Sequence, residues 1–450
     1  MAYTKVVIVG GGFGGLNAAK VLGKADLDLL LIDKTNHHVF QPLLYQVASA
    51  ALSPGNIASP LREILRRQEN TSVIMAHVSH IDLEQQQVAV CNGDRFSYDW
   101  LILAPGARHS YFGHPEWEAY APGLKTIADA LRIRERILLA FERAERCDSF
   151  SESAKYLRFV IVGGGPTGVE MAGAIAEIAH KTMFDNFRKI KPEQSEIYLV
   201  EGMDQLLNGY PTPLSERARR DLEKMGVKVL TGQQVTHVSE EGVQLGHRLI
   251  ETRNIIWAAG NEASPLLATL GVELDRQGRA MVEPDLSLPG HPNVFVIGDG
   301  AHALNEEGKL LPGIAPVAVQ QGKYVAQIIL HKMLPEERRP FVYFDKGTMA
   351  TIGKAKAIAV IGKRQFTGWL AWMMWAFVHI AYLISFENRL LVGLQWFFWY
   401  LTGKRQQRLI SRPVFNYMDE QLLEDEAAEL SGLSKSCATC QQSQSPKQAE

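Results

Sequence analysis

Apolar and polar positions along the chain fall into two matching blocks followed by an apolar end. Residues 6–9 and 159–162 are β-branched runs that read as buried parallel strands, and each leads through a glycine loop into a helical apolar pattern. Residues 27–32 and 196–200 read as the second strand of each block, and both stop at a carboxylate, Asp33 and Glu201. Residues 100–107 and 251–260 are a further matching pair, short apolar strands closing on Gly106 and Gly260. A third strand-to-glycine signal at residues 293–301 ends in Gly298-Asp299 and predicts a return to the first block. A charge-rich helix at 126–146 and a polar linker at 147–155 join the blocks. The expected units are 1–125 with 281–335, an inserted unit at 156–280, a C-terminal region at 340–415, and an acidic helix with disordered tail at 416–450.

The two loops share the grammar G-x-G-x-x-G. Gly10, Gly12 and Gly15, with Gly14 beside them, and then Gly163, Gly165 and Gly168 stand at matching places. Those are the positions for a tight turn, close approach of backbone to a pyrophosphate, and close packing of helix on strand. The anion then rests on the amides and positive dipole end of the helix. Asp33 lies 18 residues past Gly15, the spacing of a carboxylate that hydrogen-bonds adenosine ribose hydroxyls. From Gly168 to Glu201 the gap is 33 residues, so an insertion such as 182–194 must lengthen the second unit. Glu201 would repel a 2′-phosphate and predicts NADH over NADPH. The expected fold class is α/β, with two Rossmann-like dinucleotide-binding domains, the first interrupted by the second, and a C-terminal membrane-associated helical region. Two nucleotides in one chain suggest electrons passing between them.

At 450 residues and 46% hydrophobic, the chain can bury two or three cores. A formal charge of -2 gives no nucleic-acid signal. Four cysteines, Cys91, Cys147, Cys437 and Cys440, are too few and too scattered for a disulfide framework and point to a reducing compartment. The chain runs directly into its first strand, so no signal peptide is expected. No metal-ligand spacing occurs. The adjacent His37 and His38 point different ways and are expected at the adenosine half of the first nucleotide or the floor beneath it. The Cys437-x-x-Cys440 pair falls in a Ser- and Gln-rich tail away from any βαβ unit and is read as having no thiol role.

These motifs, in this order over nearly the first 330 residues, resemble the two-dinucleotide-binding-domain flavoproteins. The resemblance implies non-covalent FAD in the interrupted domain and NAD(P)H in the inserted one, with Asp299 on the ribityl chain of the flavin. Disulfide-reducing members carry a Cys-x4-Cys pair after the first glycine loop. Residues 36–48 contain no cysteine, so a thiol relay is excluded and the acceptor must be reduced directly. That stretch, with His37-His38-x-Phe40-x-Pro42-Leu43-Leu44-Tyr45-Gln46, is similar to the signature of type II NADH dehydrogenases, the single-subunit NADH:quinone oxidoreductases. Residues 312–322 are similar too. There the family pattern Ala-Gln-x-Ala-x-Gln lines the flavin ring and quinone pocket; Gln320 matches the second glutamine and Pro316 replaces the first. Glu170 matches a glutamate placed where nicotinamide meets flavin. The resemblance implies Glu170 and Gln320 as catalytic residues. The implied reaction is hydride transfer from NADH to FAD and two-electron reduction of ubiquinone or menaquinone, without proton pumping. A sulfide:quinone oxidoreductase and a non-enzymatic flavin redox sensor remain as alternatives.

Residues 366–401 carry five of the chain's eight tryptophans. Trp369, Trp372, Trp375, His379 and Tyr382 recur there at helical spacing as one amphipathic stripe. Lys354, Lys356, Lys363 and Arg364 precede the segment, and Lys404, Arg405, Arg408 and Arg412 follow it. This predicts a helical hairpin lying in the membrane interface, its indoles at headgroup level and its cations attracting anionic lipid by roughly 1 kcal/mol each. His379 is read as an interfacial histidine. The expected location is the cytoplasmic face of the cell membrane, where NADH arrives from water and quinone from lipid. A homodimer is compatible with the sequence.

Overall fold

The computed structural model describes residues 3–403, 405 and 407–410. Cys437, Cys440, Lys404, Arg412 and the acidic stretch lie outside the described residues. Strands Lys5–Val9, Asp28–Asp33, Thr71–Met75 and Trp100–Leu103 lie parallel in one sheet. The first of these is buried from Val6 to Val9, which explains a continuous apolar run in place of alternation. After the inserted domain, His291–Val296 joins the same sheet parallel to Trp100–Leu103, and Ser287–Leu288 closes its edge antiparallel. The first domain is therefore interrupted, as the third glycine signal implied.

The inserted domain repeats the scheme with four parallel strands in the order Val227–Leu230, Glu196–Val200, Arg158–Val162, Asn254–Trp257. Its long interval before Glu201 contains helix Pro166–Glu177, a π-helical turn at Ile178–Thr182 and a loop with one turn at Pro192–Gln194. The segments that follow Gly106 and Gly260 pair with each other. Ala107–His109 runs antiparallel to Asn261–Ala263, and Arg108 meets Glu262 in an exposed ion pair. The echo in the sequence is a strand of each sheet, Trp100–Leu103 and Asn254–Trp257, and the residues after each join in a two-stranded ribbon between the domains.

The C-terminal region is not all helix. Thr348–Gly353, Lys356–Ile361 and Arg364–Thr367 form an antiparallel sheet. It lies hard against helix Pro166–Glu177, for a Cβ on Gly173 would fall 1.8 Å from the Ile352 carbonyl oxygen. Helices Gly368–Tyr382 and Phe386–Thr402 follow. The expected aromatic stripe splits in two. Trp372 and Trp375 are buried, and the Trp375 ring stacks on Trp396 with centroids 5.0 Å apart, whereas Trp369 and Tyr382 are exposed. At about 100° per residue, positions 372, 375 and 379 turn inward while 370, 373 and 377 turn outward. No described helix is long and apolar enough to cross a membrane. The 15 residues of the first span only about 22 Å, against a hydrocarbon core of about 30 Å.

The first glycine-loop helix, Phe13–Leu22, crosses helix Ala315–Leu330 at two glycines. A Cβ on Gly322 would stand 2.2 Å from the Gly14 carbonyl oxygen, so no side chain fits between them. Gly322→Ala should cost about 1–3 kcal/mol by forcing the helices apart. Thermal unfolding, followed together with release of FAD fluorescence, measures that loss.

Candidate active site

Each glycine loop turns the chain from sheet to helix. Gly10 has φ +101° and Gly163 φ +108°, left-handed values that glycine adopts without strain. Cβ atoms on Gly15 and Gly168 would stand 1.9 Å and 1.8 Å from the carbonyl oxygens of Gly10 and Gly163, so helix and strand close directly on one another. Around Gly12 and Gly165, in contrast, nothing lies within 4 Å of a built Cβ. That open space at the amide end of each helix is a cradle for a pyrophosphate.

The strand-tip carboxylates are tied to the loops. Asp33 Oδ2 accepts from the Gly11 amide at 2.6 Å, and its Oδ1 accepts from the Thr35 amide and hydroxyl at 2.7 Å. Glu201 repeats the arrangement, accepting from the amides of Gly164 at 2.5 Å and Met203 at 2.7 Å. Both keep unused lone pairs for ribose hydroxyls. His38 is buried with Nδ1 3.0 Å from the Gly11 carbonyl oxygen, so it braces the loop from beneath by donating to it. Burial lowers its pKa and keeps the ring neutral.

Asp299 sits in the turn Gly298–Gly300, in a cleft of about 720 Å³ shared with Arg279, Gly313 and Gln321. Gln321 is buried and accepts from the Gly298 amide at 2.7 Å. Gln320, beside it in the chain, exchanges two hydrogen bonds with the Phe344 backbone, at 2.9 Å and 3.0 Å. Pro316 is the second residue of helix Ala315–Leu330, a place where a missing N–H breaks no helical bond. A pyrophosphate cradle, a ribose carboxylate and a polar cleft leading past Asp299 fit FAD.

A second cavity, of about 740 Å³ including its mouth, opens where both domains meet the C-terminal region. Tyr45 and Gln46 reach it from the first domain, Glu170 from the inserted one, Thr351 from the sheet, and four tryptophans from the hairpin. Glu170 is the fifth residue of helix Pro166–Glu177, past the first turn, so it does not serve the helix dipole. Burial pushes its carboxyl well above the usual range, opposed only in part by a backbone bond from Thr351. Trp396 Nε1 donates to Gln46 Oε1 at 2.7 Å, and Gln46 in turn donates to the Tyr45 hydroxyl at 2.9 Å.

Two residues expected at the lipid surface pack against the protein, Arg405 buried and His379 half-buried. Arg405 is buried, with Nη2 paired to Glu177 Oε2 at 2.9 Å and Nη1 donating to the Ser49 carbonyl at 2.8 Å and hydroxyl at 2.5 Å. The left-handed Gly403, φ +69°, ends the hairpin just before it and turns the chain inward. His379 stacks on Trp375 at 4.3 Å with Nδ1 2.7 Å from its carbonyl oxygen, and burial lowers its pKa to about 4.

Residues 4–322 match the pyridine nucleotide-disulphide oxidoreductase family, and residues 346–405 match the NDH2 C-terminal domain. The chain is 46% identical over 422 residues to the type II NADH:quinone oxidoreductase Ndh of Mycobacterium tuberculosis, with 90% of each covered. It belongs to the type II NADH:quinone oxidoreductase family. NdhA of the same organism, another type II enzyme, is 44% identical over 441 residues, covering 94% of this chain and 93% of NdhA. The solved structure of NDH2 from Plasmodium falciparum in complex with NADH shares the fold, with a TM-score of 0.82 at 21% identity over 90% of this chain and 99% of that one. Type II membership accords with a stretch at 36–48 that lacks cysteine, whatever chemistry the broader family name describes.

Sequence reasoning did not single out Gln46, Thr351 or the inward turn of Arg405. Gln46 lay inside the quoted motif, but its partner Trp396 is 350 positions away. The burial of Glu170 carries a pH signature. Its folded pKa lies above the ordinary 4.5, so the folded state holds the proton more tightly than the unfolded chain does. That contribution is present below about 4.5 and is lost as pH rises towards the folded value. Glu170→Gln cannot titrate, so its Tm advantage over the unsubstituted protein should grow as the pH rises above about 4.5. Thermal unfolding across that range is the measurement.

Proposed function

We propose that this chain oxidises NADH and reduces a membrane quinone, with FAD as its resident cofactor and Glu170 holding a proton beside the acceptor. The observation that carries this reading is the junction of a half-buried glutamate, whose carboxyl pKa is raised by loss of water, with an indole-lined cavity whose outer wall is an apolar hairpin. FAD, when bound, supplies the two-electron chemistry, taking a hydride from NADH and passing electrons on to the quinone.

The residues of the chain bind, orient and exclude water. Gly10, Gly12, Gly14, Gly15, Asp33, His38, Gly106 and Asp299 hold the flavin nucleotide. Gly163, Gly165, Gly168, Glu201 and Gly260 admit and release NADH. Quinone reduction needs a proton at each ring oxygen, and a carboxyl kept neutral by burial is a donor at that place. Gln320 fixes helix Ala315–Leu330 to the chain at Phe344, a positioning part in the same site.

The exposed side chains Leu370, Phe377, Phe397 and Leu401 support peripheral attachment to a lipid surface, on the cytoplasmic side where NADH is supplied. A homodimer built on this face would hide it from lipid. The double substitution Phe377→Asp with Phe397→Asp should abolish co-sedimentation with anionic vesicles while NADH:ferricyanide turnover persists; unchanged sedimentation would rule out this face as the anchor. Glu201→Gln should raise kcat/KM for NADPH relative to NADH, since it removes the charge that opposes a 2′-phosphate. Steady-state assays with the two nucleotides read that ratio.

A further inference from the structure

Eight of the described non-glycine residues have a left-handed backbone, and Phe112 is the one aromatic among them, at φ +52°. Gly113 follows at φ +94°, and the His114 amide donates to the Tyr111 carbonyl at 3.0 Å, which closes a tight turn on two left-handed central residues. Glycine, asparagine and aspartate suit the first of those places; an aromatic residue there is strained. Packing does not account for the choice. The Phe112 side chain is 66% exposed, and its ring only tilts over Trp257 with centroids 6.3 Å apart. The tip of the ring covers Gly260, where its Cζ would stand 2.7 Å from a built Cβ.

Gly260 marks one end of the nucleotide groove of the inserted domain. Ligands of a parallel sheet lie across the carboxyl ends of its strands. Glu201 follows the strand Glu196–Val200, the Gly165 cradle follows the adjacent strand Arg158–Val162, and Gly260 lies just beyond the next, Asn254–Trp257. With adenosine ribose at Glu201 and pyrophosphate at Gly165, the rest of NADH continues over residues 258–260. Loop and strand tip are in direct contact there, for a Cβ on Gly163 would stand 2.6 Å from the Ala258 carbonyl carbon. Phe112 therefore stands on the side of the pyrophosphate away from Glu201. We propose that the Phe112 ring is the wall against which the nicotinamide riboside of NADH packs. A flat apolar face excludes water from that end of the substrate and restricts its rotation. This assignment rests on NADH binding at the Gly163 loop and adds the group that holds its reacting end.

Phe112→Asn removes the ring and relieves the turn, since asparagine tolerates the left-handed conformation. In the full-length protein loaded with FAD, calorimetric titration should show the Kd for NAD+ rising about three- to tenfold, the worth of one aromatic contact. The Kd for ADP, which lacks the nicotinamide riboside, should stay within twofold, and Tm should hold or rise. Phe112→Tyr keeps the ring and should bind NAD+ as the unsubstituted protein does. NAD+ binding within twofold in Phe112→Asn, an equal loss of affinity for ADP, or a Phe112→Tyr protein as weak as Phe112→Asn would overturn the assignment. A Glu201→Gln protein with an unchanged preference between NADH and NADPH would overturn the placing of the nucleotide itself.

Discussion

One buried cation ties the three parts of this chain together. Arg405, at the end of the hairpin, pairs with Glu177 of the inserted domain and donates to Ser49 of the first, all out of contact with water. A charge removed from water is tolerated only when paired and hydrogen-bonded, and deleting one partner of such a pair typically costs about 3–5 kcal/mol. Glu177 is held from the other side as well, accepting from the Lys354 amide at 2.6 Å where the C-terminal sheet turns. The clamp therefore fixes hairpin, sheet and both nucleotide domains in one arrangement around a shared cavity.

The chemistry of the cavity follows from that closure. Glu170 belongs to the inserted domain, yet the groups around it come from the first domain, the sheet and the hairpin. Their packing takes water from its carboxyl, and its proton is held more tightly for that reason. The second tie, from Trp396 to Gln46, places an indole of the hairpin directly on the helix Leu44–Ala48 of the first domain. The hairpin is thus the wall of the cavity, and its outer face leaves Leu370, Phe377, Phe397 and Leu401 exposed.

Much of this was legible in the sequence. Glycine positions, strand-tip carboxylates and the Gly298-Asp299 return are local in character: a left-handed turn, a close approach or a strand end restricts residue type wherever it occurs. They placed two nucleotide loops and an interrupted first domain, and the structure holds Asp33 and Glu201 on the amides of Gly11 and Gly164, between the first two motif glycines of each loop. The length of the insertion before Glu201 was also legible, because a motif at both ends measured it. The tryptophan-rich segment was recognised as helical and apolar, but all its indoles were assigned one environment. Helical spacing groups residues on a face without saying what that face meets.

The sequence by itself determined the two loops, the order of the domains and the absence of a thiol relay, because each depends on residues within a few positions of one another. Tertiary structure alone decided that Arg405 turns inward rather than toward lipid. It also decided that Gln321 enters the Asp299 cleft, and that Trp375, Gln395 and Arg405, from separate elements, come together around one cavity. These outcomes depend on which distant groups arrive to pair a charge or a polar atom once water is excluded. Such pairing is a property of three-dimensional proximity and leaves no periodic trace along the chain.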